Sequence, residues 1–472
     1  MTLSGGWTLW PRVRREMKLL CKIVLLALAG LHLIKPFVTI DLSAAICIAA
    51  VVVLLSGMTM MGKGFFKATL TFLFIGLALL VYFGQPLSIW TAAVTSMTNV
   101  IAILVIMQTF SIPIKIGQYN TALQYWLNKS VRGEGPLFLL TTAATHVFTS
   151  FLMFGAIPVM ISLMEHTLKK SVGNYQRFMA AAVSRGYALA SLWAPGAINL
   201  FLVIQATGVS WSAVFVPGVI LSFIGMAISY GIESKLQLKA DAVRPAVSGA
   251  QALPAEKPAG RRVLHIFLAV AGLIMLTLLF DRLHIGATYN RIILAGFVVI
   301  FAWLSWLSRE FSITAAVKSY WQEGVLKTAD LAPFFIAMGI FSTALEHSSF
   351  MVMLQAALQQ AAGVLGVFSI VLVPLLIILA AVFGLHPFMT IVMFGKILTL
   401  LSLPVTSLTL ALCLAVGGSI SYMVSPFAGL ILTLAKMINA KAEEVALRWN
   451  WQFCLVYFFV GIVFAYYWGQ NM

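Results

Sequence analysis

The apolar run 179–208 is interrupted by Ser191-Leu-Trp193-Ala-Pro195-Gly196-Ala-Ile-Asn199, and the run 405–432 by Gly417-Gly418 and then Ser425-Pro426-Phe427-Ala428-Gly429. Proline lacks an amide proton and clashes with the preceding turn, and glycine resists the helical conformation, so both runs are expected to break there. Unwound backbone at membrane depth persists only where it is buried in protein or lines a polar cavity. The N-terminus of the half-helix that follows directs amides toward an anion. Pro195, Gly196 and Asn199 in one break, and Ser425 and Gly429 in the other, are therefore candidates for holding a small negatively charged substrate. An ordinary proline kink is the structural alternative. Two breaks at matched positions favour a site.

Two further runs, 137–164 and 366–402, carry a polar or Gly/Pro interruption at Thr145-His146 and at Gly384-Leu385-His386-Pro387. Each is expected to be a re-entrant hairpin with its histidine at the tip. Thr145, His146, Thr149 and Ser150 from one, and His386 and Thr390 from the other, then join the substrate site. An intramembrane imidazole either hydrogen-bonds substrate, passes a proton, or simply packs. Arg185, about two turns into its helix, is expected to attract negative charge. Lys396 reads equally as a snorkelling side chain. Glu165, Asp330 and Glu346 lie near span ends, and no carboxylate is expected at mid-membrane, where a cation pump ordinarily carries one. That balance favours an anion.

The elements that position these residues follow from composition. The chain has 472 residues, 61% hydrophobic and 9% charged, with mean hydropathy +1.00. Soluble domains average about 25% charged residues, so the solvent is the lipid bilayer. Segments are expected near 18–35, 40–57, 66–83, 90–112, 137–164, 179–208, 212–232, 263–280, 291–307, 329–346, 366–402, 405–432 and 452–469. The formal charge of +16 is spread over short loops, which fits the positive-inside rule and not a nucleic-acid-binding face. Cys21, Cys47, Cys413 and Cys454 sit in apolar stretches without metal or disulfide spacing. The basic N-terminus reads as the flank of a retained first helix. No HExxH, GxSxG or phosphate loop occurs, so no enzyme is expected.

With the N-terminus cytoplasmic and both hairpins returning to their own side, the basic loops fall inside, and only Lys35, Arg282 and Arg291 fall outside. The C-terminus is then extracytoplasmic. Met107-Gln-Thr-Phe110-Ser111 matches Met338-Gly-Ile-Phe341-Ser342 at an offset of 231, as Ala194-Pro195 matches Ser425-Pro426. His146-x-Phe148-x-Ser150-x-x-Met153-Phe154-Gly155 lies over His386-x-Phe388-x-Thr390-x-x-Met393-Phe394-Gly395 at an offset of 240. The expected architecture is an all-α integral membrane protein with about eleven transmembrane helices and two re-entrant hairpins in two inverted repeats. Residues 1–35 form the basic segment and first helix, 36–232 the first repeat, 233–262 an Ala/Pro-rich cytoplasmic linker, and 263–472 the second repeat.

Leu140-Thr-Thr-Ala-Ala-Thr-His-Val-Phe-Thr-Ser-Phe-Leu-Met-Phe-Gly-Ala-Ile-Pro158 and Ala181-Ala-Val-Ser-Arg-Gly186 through Pro195-Gly-Ala-Ile-Asn199-Leu resemble stretches of the ion transporter superfamily. That group includes divalent-anion/sodium symporters, the arsenite-pump membrane subunit and the large membrane subunit of TRAP transporters. The resemblance implies a secondary active transporter of an organic acid or oxyanion in the inner membrane, working by alternating access, and a homodimer. Two rival readings stand beside it: a TRAP-like permease needing an extracytoplasmic binding protein, and, from another class, an exporter or flippase of a lipid-linked or cell-envelope intermediate. The Ser-Asn-Thr/Ala tips of the sodium-coupled members are replaced here by His-x-Phe, and Leu430 stands opposite Asn199. Coupling to a proton is accordingly favoured over sodium, and no other cofactor is expected. Single cysteines in 165–178 are expected to react with an impermeant reagent from the cytoplasmic side only. Labelling from the opposite side would overturn this topology.

Overall fold

The computed structural model describes residues 11–117, 119, 133–238, 257–399, 401 and 403–471. Among these, every regular element is helical, and eleven helical segments are long and apolar enough to cross a bilayer. Phe74, Phe223, Phe301 and Phe459 stand with 76, 67, 68 and 58% of their surface exposed, as expected of side chains that meet lipid. The chain is a multi-pass membrane protein. It forms two compact units, Met1–Ile116 with Leu279–Met353 and Gly117–Leu278 with Leu354–Met472, and each draws on both halves of the sequence.

In the first unit, the run expected as one span at 90–112 is two helices, Leu87–Thr95 and Thr98–Thr109. Ser96 and Met97 form the break. Beside it lies a cavity of about 200 Å³ whose lining includes His32, Lys35, Thr95, Thr98, Asn99 and Tyr289. His32 Nε2 lies 3.1 Å from Thr98 Oγ1 and belongs to the first helix, Pro11–Ile34.

The second unit contains both interrupted runs. Contrary to expectation, the helix Glu134–Leu152 passes through Thr145 and His146 without interruption. Thr141, Thr142 and Thr145 each turn their hydroxyl onto the carbonyl four residues back, at 2.7, 2.9 and 2.8 Å. Their polarity is thus absorbed by the helix itself. The chain breaks instead at Met153–Gly155, with Met153 at φ 51°, before the helix Ala156–Ser171 begins. The second interrupted run breaks where expected, at Gly384 with φ 100°, between Ser369–Val382 and Pro387–Thr399. Ser349–Leu365 is a separate helix ahead of it.

These corrections bring the two halves into one register. Met153 and Gly384, both at positive φ, are 231 residues apart, as are the helix starts Ala156 and Pro387. Ile198–Thr207 and Gly429–Ile438 share that spacing, and each is capped at its C-terminus by a left-handed residue, Gly208 or Asn439. The offset of 240 that pairs the two histidines does not hold: at 231, His146 lies opposite Ile377 and His386 opposite Gly155. Packing follows the same register reciprocally. Ile198–Thr207 packs on Pro387–Thr399, and Gly429–Ile438 packs on Ala156–Ser171.

Two matched glycines allow the close approach. A Cβ on Gly186 would lie 2.6 Å from the Thr142 carbonyl oxygen, and one on Gly417 would lie 2.6 Å from Pro374 Cα. Both neighbours are backbone atoms that have no room to yield. The linker expected at 233–262 is shorter, because Trp211–Leu236 runs through Glu233 and Lys257–Arg282 begins inside it. Residues 239–256 lie outside the described residues. Gly186→Val and Gly417→Val should each lose at least about 1–3 kcal/mol, the usual range for overpacking. Gly231→Ala, with nothing within 4 Å, should melt like the parent in detergent. Equal melting of all three would show that the contacts are not tight.

Candidate substrate site at a broken helix

The helix Tyr175–Ala190 begins under an Asn174 cap, whose side chain accepts from the Arg177 amide at 3.1 Å. It ends at Ser191, where Pro195 and Gly196 deny it a continuation, and the chain resumes as Ile198–Thr207 from an extended Ala197. Carbonyls around the break accept from backbone amides and also from side-chain donors on several helices. Ala188 O accepts from Ser191 Oγ at 2.6 Å and Ser419 Oγ at 2.8 Å, and Leu189 O accepts from Ser222 Oγ at 2.8 Å. Trp193 O accepts from the Trp211 indole at 2.9 Å. Ser419 is the counterpart of Ala188 at the 231 spacing, so the two broken helices touch at equivalent points.

All of Ser191 through Leu200 is buried, including Pro195 and Gly196. Asn199 donates to Ser191 Oγ at 3.4 Å, and its Oδ1 has no protein partner. That oxygen lies where a Cβ on Gly418 would come within 2.2 Å, so the glycine gives the carboxamide its place. His146 projects from the neighbouring helix and its Nε2 accepts from the Trp193 indole at 2.8 Å. His146 Nδ1 and Thr149 Oγ1 are buried without a hydrogen bond. Three nominated side chains, His146, Thr149 and Asn199, thus keep unspent hydrogen-bonding capacity.

The other nominated residues are committed within the fold. Thr145, Ser150 and Thr390 donate to carbonyls of their own helices. Ser425 Oγ donates to Ala381 O at 2.7 Å, fixing the second break to the preceding helix pair. Gly429 opens the helix Gly429–Ile438 from an extended Ala428. His386 is not a twin of His146. It is half-buried, accepts from the Phe388 amide at 3.3 Å at the start of Pro387–Thr399, and packs on the Phe388 ring.

Arg185 has a role different from the one expected. Its guanidinium is wholly buried and donates to Asn450 Oδ1 at 3.0 Å, Ser229 Oγ at 3.2 Å, Glu233 Oε1 at 2.8 Å and Trp449 O at 2.8 Å. The Phe453 ring covers it at 4.8 Å. Glu233, also fully buried, accepts from Arg177 Nε at 3.3 Å on its other oxygen. The buried carboxylate was not expected, because position 233 fell at the edge of the apolar run. Arg185 and Glu233 are bonded to each other within the fold, with Arg177 on the second carboxylate oxygen. The side chain of Lys396 lies outside the described residues.

No family model matches the chain, and no curated protein matches it. Among solved structures, it is similar to that of the YdaH transporter of Alcanivorax borkumensis, described as having an unusual topology. The match covers 84% of this chain and 98% of that one, with 17% identity and a TM-score of 0.56. The likeness is one of fold. Glu233→Gln should lower the melting temperature by the loss of about 3–5 kcal/mol, the usual cost of stranding one member of a buried ion pair. Arg185→Lys, which keeps the charge but loses the planar fork, should also destabilise. Melting of both variants at the parent temperature would show that the buried Arg185–Glu233 pair does not hold the fold.

Proposed function

We propose that the protein is a secondary active transporter of a small anion, an organic acid or oxyanion, that works by alternating access with two inverted repeats in the inner membrane. The observation that carries the reading is a set of buried polar atoms without protein partners in the unit that holds the break at Ser191–Ala197: the His146 Nδ1–H and the Thr149 hydroxyl, which can donate to an anion, and Asn199 Oδ1, which can accept from a protonated one. The helices Ile198–Thr207 and Gly429–Ile438 both start at such a break, and their N-termini favour negative charge. The likeness in fold to a solved transporter supports the class. The common 231-residue register and the reciprocal packing support a repeat whose halves exchange conformations. With Arg185 and Glu233 paired to each other, attraction for the anion falls to helix N-termini and hydrogen-bond donors. A proton fits the coupling role better than sodium because the unspent titratable group is an imidazole.

The test is uptake into proteoliposomes across a panel of carboxylates and inorganic oxyanions, with and without a pH gradient. Asn199→Ala and Gly418→Ala should each reduce uptake roughly ten-fold or more, as expected when a buried polar group worth about 1–3 kcal/mol is removed or displaced. Thr390→Val, which removes a hydroxyl bonded only within its own helix, should transport normally. Equal uptake by all three variants, or no anion moved by the parent, would overturn the reading.

A further inference from the structure

We infer that His146 is a proton-binding site, and that a proton there opens its contact with Trp193 in the helix break. An indole nitrogen donates and never accepts. Trp193 Nε1 donates to His146 Nε2 at 2.8 Å, so Nε2 holds its lone pair toward the indole and the imidazole proton resides on Nδ1. That Nδ1 is buried without a hydrogen bond. An imidazolium in this place would turn Nε2 into a second donor facing the indole donor. The two N–H groups have no acceptor between them, so the contact opens when the proton arrives. In this conformation, His146 is neutral by construction.

Among the described residues, no ion pair reaches His146 to offset that requirement. On its own helix, the other ionisable group is Glu134, twelve residues away, about 18 Å along the axis, and bonded to the Gly173 amide. Tyr175–Ala190 brings Tyr175, Tyr187, Arg177 and Arg185, the two arginines both bound to Glu233. Ala156–Ser171 brings Glu165 and Lys169, paired with each other, along with His166 and Lys170. Trp211–Leu236 brings Tyr230, Glu233 and Lys235. Among the described side chains, none of these is hydrogen-bonded to His146.

Trp193 makes the event consequential. It lies within the break, its carbonyl holds the Trp211 indole, and its ring contacts Phe215 at 6.1 Å. Opening the His146 contact therefore frees the one side-chain tie described between Glu134–Leu152 and the break. By linkage, whatever stabilises the open contact draws in a proton, and lowering pH depopulates the closed contact. The role in coupling rests on the transporter reading above, whereas the chemistry of the contact does not.

The experiment is nitrogen-15 NMR of the full-length protein labelled at histidine and tryptophan, with His146→Gln and Trp193→Phe assigning the two signals. At neutral pH, His146 should carry its proton on Nδ1 with Nε2 unprotonated. As pH falls, its imidazolium signal should appear together with a shift of the Trp193 indole. Trp193→Phe should raise the proton affinity of His146 about ten-fold, one pH unit. A proton on Nε2 at neutral pH, or an imidazolium that forms while the indole signal stays put, would overturn the proposal. The spectra decide it whether or not any anion is transported, and need no uptake by the variants.

Discussion

A carbonyl at the depth of a bilayer has no water to turn to, and every break in a spanning helix leaves several carbonyls in that position. The break at Ser191–Ala197 meets the demand with its own Ser191, with Ser222 and the Trp211 indole from Trp211–Leu236, and with Ser419 from Ser407–Val424. Its shape is therefore set jointly by Tyr175–Ala190, Trp211–Leu236 and Ser407–Val424. No single helix owns it. A local change in any of these reaches the Asn199 carboxamide, because Gly418 on the last of them leaves the space which that side chain fills.

The charges follow a separate logic. Arg185, Arg177 and Glu233 form a cluster in which each oxygen of the carboxylate has a cation and the buried guanidinium has neutral partners as well. Burying ions is costly unless they are paired and hydrogen-bonded, and here both conditions are met. The cluster joins Tyr175–Ala190 to Trp211–Leu236 and to Asn450 and Trp449, at the entry to the terminal helix. Monopoles hold these helices together.

Much of this was legible in the chain because its signals are local. Hydrophobic runs gave the spans, and Pro195-Gly196 and Ser425-Pro426 marked breaks that the structure contains. The misplaced break at Thr145-His146 arose because threonine hydroxyls can satisfy themselves on their own helix, and composition does not reveal which way they turn. The break at Ser96–Met97 carries neither proline nor glycine, so nothing local announced it. The alignment of the two histidines was persuasive in letters but wrong in space by nine residues, as Met153 and Gly384 demonstrate. Glu233, Asn450 and Gly418 owe their importance to partners 48, 265 and 219 residues distant in sequence, beyond the reach of pattern.

The interleaved composition of the two compact units bears on how the protein is made. Neither unit is complete when the ribosome has translated the first half, since Leu279–Met353 and Leu354–Met472 are still to come. Early helices thus enter the bilayer with faces that match only later ones. Arg185 is the sharpest instance: it is inserted hundreds of residues before Asn450 and Trp449 emerge, with Glu233 as its interim companion. Nascent-chain quality control would find its most vulnerable substrate in that interval.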